Sequence, residues 1–122
     1  MPRPIASSEV WDVIKVPFPY ADRPAQQHRP ALVVARHEQP GSPALLWVMM
    51  ITSATHQRWS DDIAVSDLLM AGLPAASIVR VAKIATIEAR DAERIGCLSV
   101  ADRPAVRAQI AVLLTDALGE QA

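Results

Sequence analysis

Arg29 stands between a long polar stretch and an apolar run, with His28 beside it. A guanidinium stays charged at every working pH and holds an oxyanion through two parallel N–H donors, so this position suits an anionic ligand. The plainer alternative is an exposed arginine that solvates a strand end. His28 and His56 are the nearby groups of a type whose ordinary pKa suits proton transfer near neutrality. Thr52 and Ser53 close an apolar run and offer two hydroxyls, either as donors to a phosphate or as ordinary turn formers. In His56-Gln57-Arg58-Trp59-Ser60 an aromatic ring alternates with cations, a combination that stacks on a base and neutralises its backbone. His28 and His37 flank an apolar run, show no HxxxH spacing and have one cysteine, Cys97, in the whole chain, so no metal site is expected. Neither GxxxxGK[ST] nor GxGxxG occurs, so no phosphate-loop nucleotide site and no cofactor are expected.

Composition bounds what can carry these groups. The chain has 122 residues, 51% hydrophobic, with 12 basic and 13 acidic residues. That is the size of one domain, 1–122, and it is too apolar and too weakly charged for a disordered chain. No apolar run approaches the roughly 18 residues needed to span a bilayer, and the N-terminus lacks a signal-peptide core. A soluble, cytoplasmic protein with no membrane partner is expected, and a single cysteine fits a reducing compartment. Charge is divided unevenly: residues 1–60 hold six bases and four acids, residues 61–122 six and nine. All three histidines lie in the first half, so an anionic ligand is sought there.

The elements that must position these residues are short. β-Branched and aromatic residues over 10–16, closed by Pro17 and Pro19, predict a first strand. Residues 17–29 predict a long functional loop, and Pro30 opens a second strand over 30–36. Pro40-Gly41-Ser42-Pro43 is a turn signal, and 44–52 predicts a buried third strand paired with the second. A polar loop over 53–62 and a short strand over 62–65 follow, then one helical turn with Ser66 as N-cap and Gly72 as its stop. Residues 77–81 and 83–87 predict two strand segments or one bent at Ala82, and 88–95 a short helix ended by Gly96. Val106, Ile110, Leu113, Leu114, Ala117 and Leu118 recur at helical spacing, predicting a last helix over 102–118 with one face on the sheet. Short strands with a terminal helix indicate a mainly β fold with helices, a small antiparallel sheet or open barrel.

Three segments, in order, resemble the MazF/PemK toxins of bacterial type II toxin–antitoxin systems. The first runs from Asp12-Val13-Ile14-Lys15-Val16-Pro17-Phe18-Pro19-Tyr20 through the loop to Arg29-Pro30-Ala31-Leu32-Val33-Val34. The second is Ile51-Thr52-Ser53. The third is 67–80, with Ala71-Gly72-Leu73, Ser77 and Val79-Arg80, followed by Ile84-Ala85-Thr86-Ile87 and Ile95-Gly96-Cys97-Leu98-Ser99. Each is weak alone; their order over about 90 residues makes the match specific. The resemblance implies an SH3-like barrel with a C-terminal helix, a homodimer, a metal-independent endoribonuclease acting on single-stranded RNA, and neutralisation by a cognate antitoxin.

The resemblance also assigns residues. Arg29 matches a catalytic loop-end arginine, Thr52 an active-site threonine with Ser53 its neighbour, and Arg80 a strand arginine that some members use in catalysis. The loops 17–28 and 53–62 then form the RNA groove, with Tyr20, Arg23, Gln27, Arg58 and Trp59 as RNA-binding candidates. Two positions depart from the pattern. Ala82 stands where such members carry an acidic base, which leaves His28 or His56 for proton transfer, and Trp11 stands where the family generally has glycine. The competing reading is a non-catalytic module on the same barrel, a poison of a protein target such as gyrase or an inactive descendant; it needs neither Arg29 nor Thr52.

Overall fold

The computed structural model describes residues 8–18 and 27–119. Six antiparallel strands form one curled, half-barrel sheet: β1 (Asp12–Phe18), β2 (Gln27–His37), β3 (Leu45–Ser53), β4 (Ile63–Ala64), β5 (Ser77–Glu88) and β6 (Glu93–Cys97), in spatial order β4-β5-β3-β2-β1-β6. A single-turn helix α1 (Leu68–Ala71) and a terminal helix α2 (Arg103–Leu118) complete it. No helix among the described residues is long and apolar enough to cross a membrane.

Both faces of the sheet are buried, and the alternation of residues decides which core each joins. Val13, Leu32, Met49, Ile51, Val79 and Val81 form one cluster with Ala71, Leu73, Leu98 and Val106. Ile14, Val16, Ala31, Val33, Leu46, Val48 and Met50 form the other, closed by Ala89 and Ala92. Such double burial explains why 44–51 reads as an unbroken apolar run rather than an alternating one.

The ladder between β2 and β3 stops at Ala31 opposite Met50. Beyond that point Gln27 to Pro30 pair only with β1, while Ile51 to Ser53 pair only with β5. The sheet therefore forks, and Pro30, which has no amide hydrogen to donate, stands at the crotch. A second irregularity lies in β5, where Arg80 faces Met50 but Ile84 faces Met49, so residues 81–83 bulge out of the ladder.

Several expectations are corrected. The loop predicted over 17–29 is shorter than that, because β1 extends to Phe18 and β2 begins at Gln27, which puts His28 and Arg29 inside a strand. The helix expected over 88–95 is a 3-10 turn, Ala89–Asp91, followed by β6; Arg94 is drawn across the sheet to Asp12, a partner that local spacing does not reveal. Of the two alternatives for 77–87, the single strand with an irregularity around Ala82 is the one found. The N-cap of α1 is Asp67, which accepts from the Met70 amide, because the Ser66 amide and hydroxyl both donate to the buried Asp102 carboxylate. Nor does α2 lay its whole stripe on the sheet: Val106 is buried and Ile110 partly so, but Leu113 and Leu114 are about two-fifths exposed and Leu118 mostly so.

Trp11 has a left-handed backbone, with φ of 78°, a conformation that favours glycine. Its amide donates to the Val33 carbonyl and its own carbonyl accepts from Leu98, which fixes it between β2 and the chain leading to α2. The guanidinium groups of Arg103 and Arg107 lie 5.6 and 5.1 Å from its ring centroid, within cation–π range, so the indole anchors α2.

Gly96 on β6 meets α1 with no room for a side chain, since a Cβ would run into the Met70 and Ala71 carbonyl groups. Gly96→Ala must push backbone away from backbone. It is expected to cost roughly 3 kcal/mol and lower Tm by about 10 °C, read by thermal unfolding.

Candidate functional site

The fork in the sheet gathers the candidate residues. Arg29 and Pro30 form one wall and Ile51, Thr52 and Ser53 the other, and two cavities fill the space around them. The larger, of ≈ 350 Å³, adds Lys15, Ile95 and the 72–77 segment; the smaller, of ≈ 180 Å³, adds Met50, Arg80 and Lys83. Arg29, Thr52 and His56 line both. The sequence separates these three across two strands and a loop, and the fork brings them together.

His56 is presented by a tight turn after β3. Its amide donates to the Ser53 carbonyl, the Ala54 amide donates to the Ala76 carbonyl, and the Ser53 hydroxyl accepts from the Thr55 amide at 3.2 Å and lies 2.8 Å from the Thr55 hydroxyl. With the turn closed, Thr52 Oγ1 and His56 Nδ1 are 2.7 Å apart. That bond can orient the imidazole and leave Nε2 facing outward. His28 neighbours Arg29 along β2 and so lies on the opposite face of the strand; it is exposed and lines neither cavity.

Arg80 is engaged by the loop. Its Nε donates to Asp62 Oδ1 at 3.2 Å, and its Nη2 donates to Asp62 Oδ2 at 3.0 Å and to the Gln57 carbonyl at 2.6 Å. The Trp59 ring lies over the guanidinium, 4.0 Å from ring centroid to Cζ, and the Trp59 amide donates to the same carboxylate. Burial alone pushes the Asp62 carboxyl up, but the bonds from Arg80 and Trp59 and the nearby Arg80 and Arg58 charges outweigh it and hold the group below its usual 3.8. Trp59 is thus half-exposed with its face on Arg80, and Arg58 is exposed, reaching the Asp62 carbonyl at 3.4 Å. Ala82, inside the β5 bulge, is exposed.

Tyr20 and Arg23 lie outside the described residues, as does the side chain of Gln27. Sequence reasoning passed over Asp62, Lys15 and Lys83. Asp62 was recoverable as an acid in a loop facing a strand arginine. Lys83 was not, because a regular strand places residues three apart on opposite faces, and only the bulge turns it into the cavity with Arg80. Among the described residues no group of three or more His, Cys, Asp or Glu side chains gathers at ion-binding distance.

Residues 9–114 match the family model of PemK-like, MazF-like toxins of type II toxin–antitoxin systems. Solved structures agree with it. The Mycobacterium tuberculosis toxin MazF-mt6 is 25% identical, with a TM-score of 0.60 over 81% of this chain and 92% of that one. An endoribonuclease in complex with its cognate antitoxin from a mycobacterial species is 17% identical, with a TM-score of 0.67 over 94% and 100%. A MazE–MazF structure from Deinococcus radiodurans is 18% identical, with a TM-score of 0.68 over 88% and 95%. These last two likenesses bear on the fold alone. No curated protein matches the chain.

The Asp62 side chain is fully buried and that of Arg80 is 12% exposed, so removing the carboxylate charge strands a buried cation. Asp62→Asn is expected to cost about 3 kcal/mol at neutral pH. Because the folded pKa is depressed, the stabilisation is complete above the unfolded value and is lost as pH falls through the folded one. Urea unfolding at several pH values should show the gap between Asp62→Asn and the unmodified protein shrinking only below about pH 4.

Proposed function

The chain belongs to the PemK-like, MazF-like toxins of type II toxin–antitoxin systems, and on that footing we propose that it is a metal-independent endoribonuclease that cuts single-stranded RNA at short sequences and so inhibits growth. It acts in the cytoplasm as a homodimer, one domain per chain, and a cognate antitoxin silences it. The observation that carries this reading is the convergence of Arg29, Thr52 and His56 on the walls of both cavities in the fork.

Cleavage without a metal requires a base for the 2′-hydroxyl and donors for the phosphoryl oxygens. In the tautomer that carries hydrogen on Nδ1, His56 donates to Thr52 Oγ1, 2.7 Å away, and Nε2 is left bare to take the 2′-hydroxyl proton. The Thr52 hydroxyl, already accepting from His56, turns its own hydrogen to a non-bridging oxygen of the scissile phosphate, and Arg29 holds that phosphate as negative charge builds. The 2′-oxygen bonds to phosphorus and the P–O5′ bond breaks. The departing 5′-oxygen is protonated by solvent, giving 2′,3′-cyclic phosphate and 5′-hydroxyl ends. Ser53 closes the turn that presents His56 and is a positioning residue. Arg80, spent on Asp62 and Gln57, holds the 53–62 loop and lends the smaller cavity positive potential. Tyr20, Arg23, Gln27, Arg58 and Trp59 belong to the loops along which the RNA strand lies.

Purified protein incubated with mixed-sequence single-stranded RNA in excess EDTA should yield those two kinds of end at a short recurring motif. Arg29→Ala and Thr52→Ala should each slow cleavage by about 10²–10³-fold with the fold intact. Wild-type cleavage by Arg29→Ala would overturn the assignment.

The proton-transfer role is tested separately through pH. The logarithm of the cleavage rate should fall with unit slope on the acid side, and His56→Gln should be slow and lack that limb, whereas His28→Gln should keep it.

A further inference from the structure

The smaller cavity, of ≈ 180 Å³, gathers three cations, Arg29, Arg80 and Lys83, around Thr52 and His56. Two of them are guanidinium groups, which hold an anion but do not give up a proton in proteins. The third is an ammonium, which can supply a proton as well as a charge.

Strand register puts the ammonium there. Met50 belongs to one core and Met49 to the other, so their partners on β5, Arg80 and Ile84, point to opposite faces of the sheet. Lys83 precedes Ile84 and so points the other way, onto the face of Met50 and Arg80. Val81 stays in the core and the exposed Ala82 takes up the change of phase. Arg80 is held by Asp62 and the Gln57 carbonyl, whereas Lys83 is exposed, on a flexible four-carbon stem.

In an in-line displacement at phosphorus the attacking and departing oxygens lie on opposite sides, so a base serving the 2′-oxygen is poorly placed to serve the 5′-oxygen as well. His56 takes the attacking side, and Arg29 and Thr52 hold the phosphate between. Of the other residues lining the smaller cavity, Met50 and Ile51 are inert and Arg80 keeps its protons; Lys83 is left to face the departing oxygen. Lys15 lines the larger, chiefly aliphatic cavity, opposite Glu93 in the β1–β6 ladder.

We propose that Lys83 is the general acid of the cleavage. As the P–O5′ bond breaks and its electron pair goes to O5′, Lys83 Nζ gives that oxygen the proton that solvent otherwise supplies, and the amine left behind takes one back from water. This rests on the RNA-cleaving reading, with His56 gaining the 2′-hydroxyl proton on the other side of phosphorus.

The test compares ordinary RNA with RNA in which sulfur replaces the bridging 5′-oxygen at the mapped cut, because a thiolate departs without needing a proton. Lys83→Ala should cut ordinary RNA about 10²-fold more slowly than the unmodified protein, yet cut the sulfur substrate within about threefold of it. Lys83→Arg keeps the charge without a proton to give, and should behave as Lys83→Ala does on both substrates. Arg29→Ala should stay slow on both, since charge builds on the phosphate whichever atom departs. Cleavage of ordinary RNA at the unmodified rate by either Lys83 variant overturns the proposal. So does an equal loss on the two substrates, which would assign Lys83 to phosphate binding alone. An unmodified protein that cuts neither substrate in EDTA sinks the ribonuclease reading itself, and is distinct from an active enzyme indifferent to Lys83.

Discussion

Everything at the functional end of this molecule depends on the place where β2 and β3 stop pairing. Up to Ala31 and Met50 the two strands share a ladder and both faces of the sheet are packed. Past that point each follows its outer neighbour, β2 with β1 and β3 with β5. Backbone groups released by such a split must be satisfied by water, ligand or side chains, so a fork is a natural place for polar chemistry. Pro30 at its crotch has no donor to satisfy, which makes the opening less costly there than at any other residue type.

A second theme is the buried carboxylate. Asp12, Asp62 and Asp102 are each less than 10% exposed. Asp12 accepts from the Glu9 amide and from Arg94, Asp62 from the Trp59 amide and Arg80, and Asp102 from the Ser66 amide and hydroxyl. Each joins an irregular segment to a distant element, and an ionised carboxylate with several donors is well compensated for burial. At the site this has a chemical effect. Arg80 is tied to Asp62 and still lines the smaller cavity, together with Arg29 and Lys83.

Trp11, packed against the core cluster of Val13, Leu32 and Leu98, shows how one unusual residue is accommodated. Trp11 accepts a left-handed backbone and is held there by bonds to Val33 and Leu98, with two α2 guanidinium groups against its ring. Strain of this kind costs of order 1–3 kcal/mol and persists only where the surroundings enforce it. Here they do so by tying the start of β1 to the last helix, whose C-terminal half carries its leucines outward.

The order of strands β1 to β5 and the last helix were legible in the residues, because alternation, helical spacing and turn chemistry are local properties, whereas Arg29 and Thr52 stood out through the family resemblance. The helix expected over 88–95 failed because what decides that segment is not local: Arg94 seeks Asp12, and Gly96 must lie flat against α1. His28 and His56 were both candidates in sequence, with His28 ahead. The pleat of β2 turns one away from Arg29, while a turn closed by Ser53 brings the other within 2.7 Å of Thr52. Lys83 and the partnership of Asp62 with Arg80 arise from a bulge and a loop closure, which depend on register between strands. Residue types and local periodicity belong to the sequence itself; which of those residues face one another is decided only when strands far apart in the chain choose their neighbours.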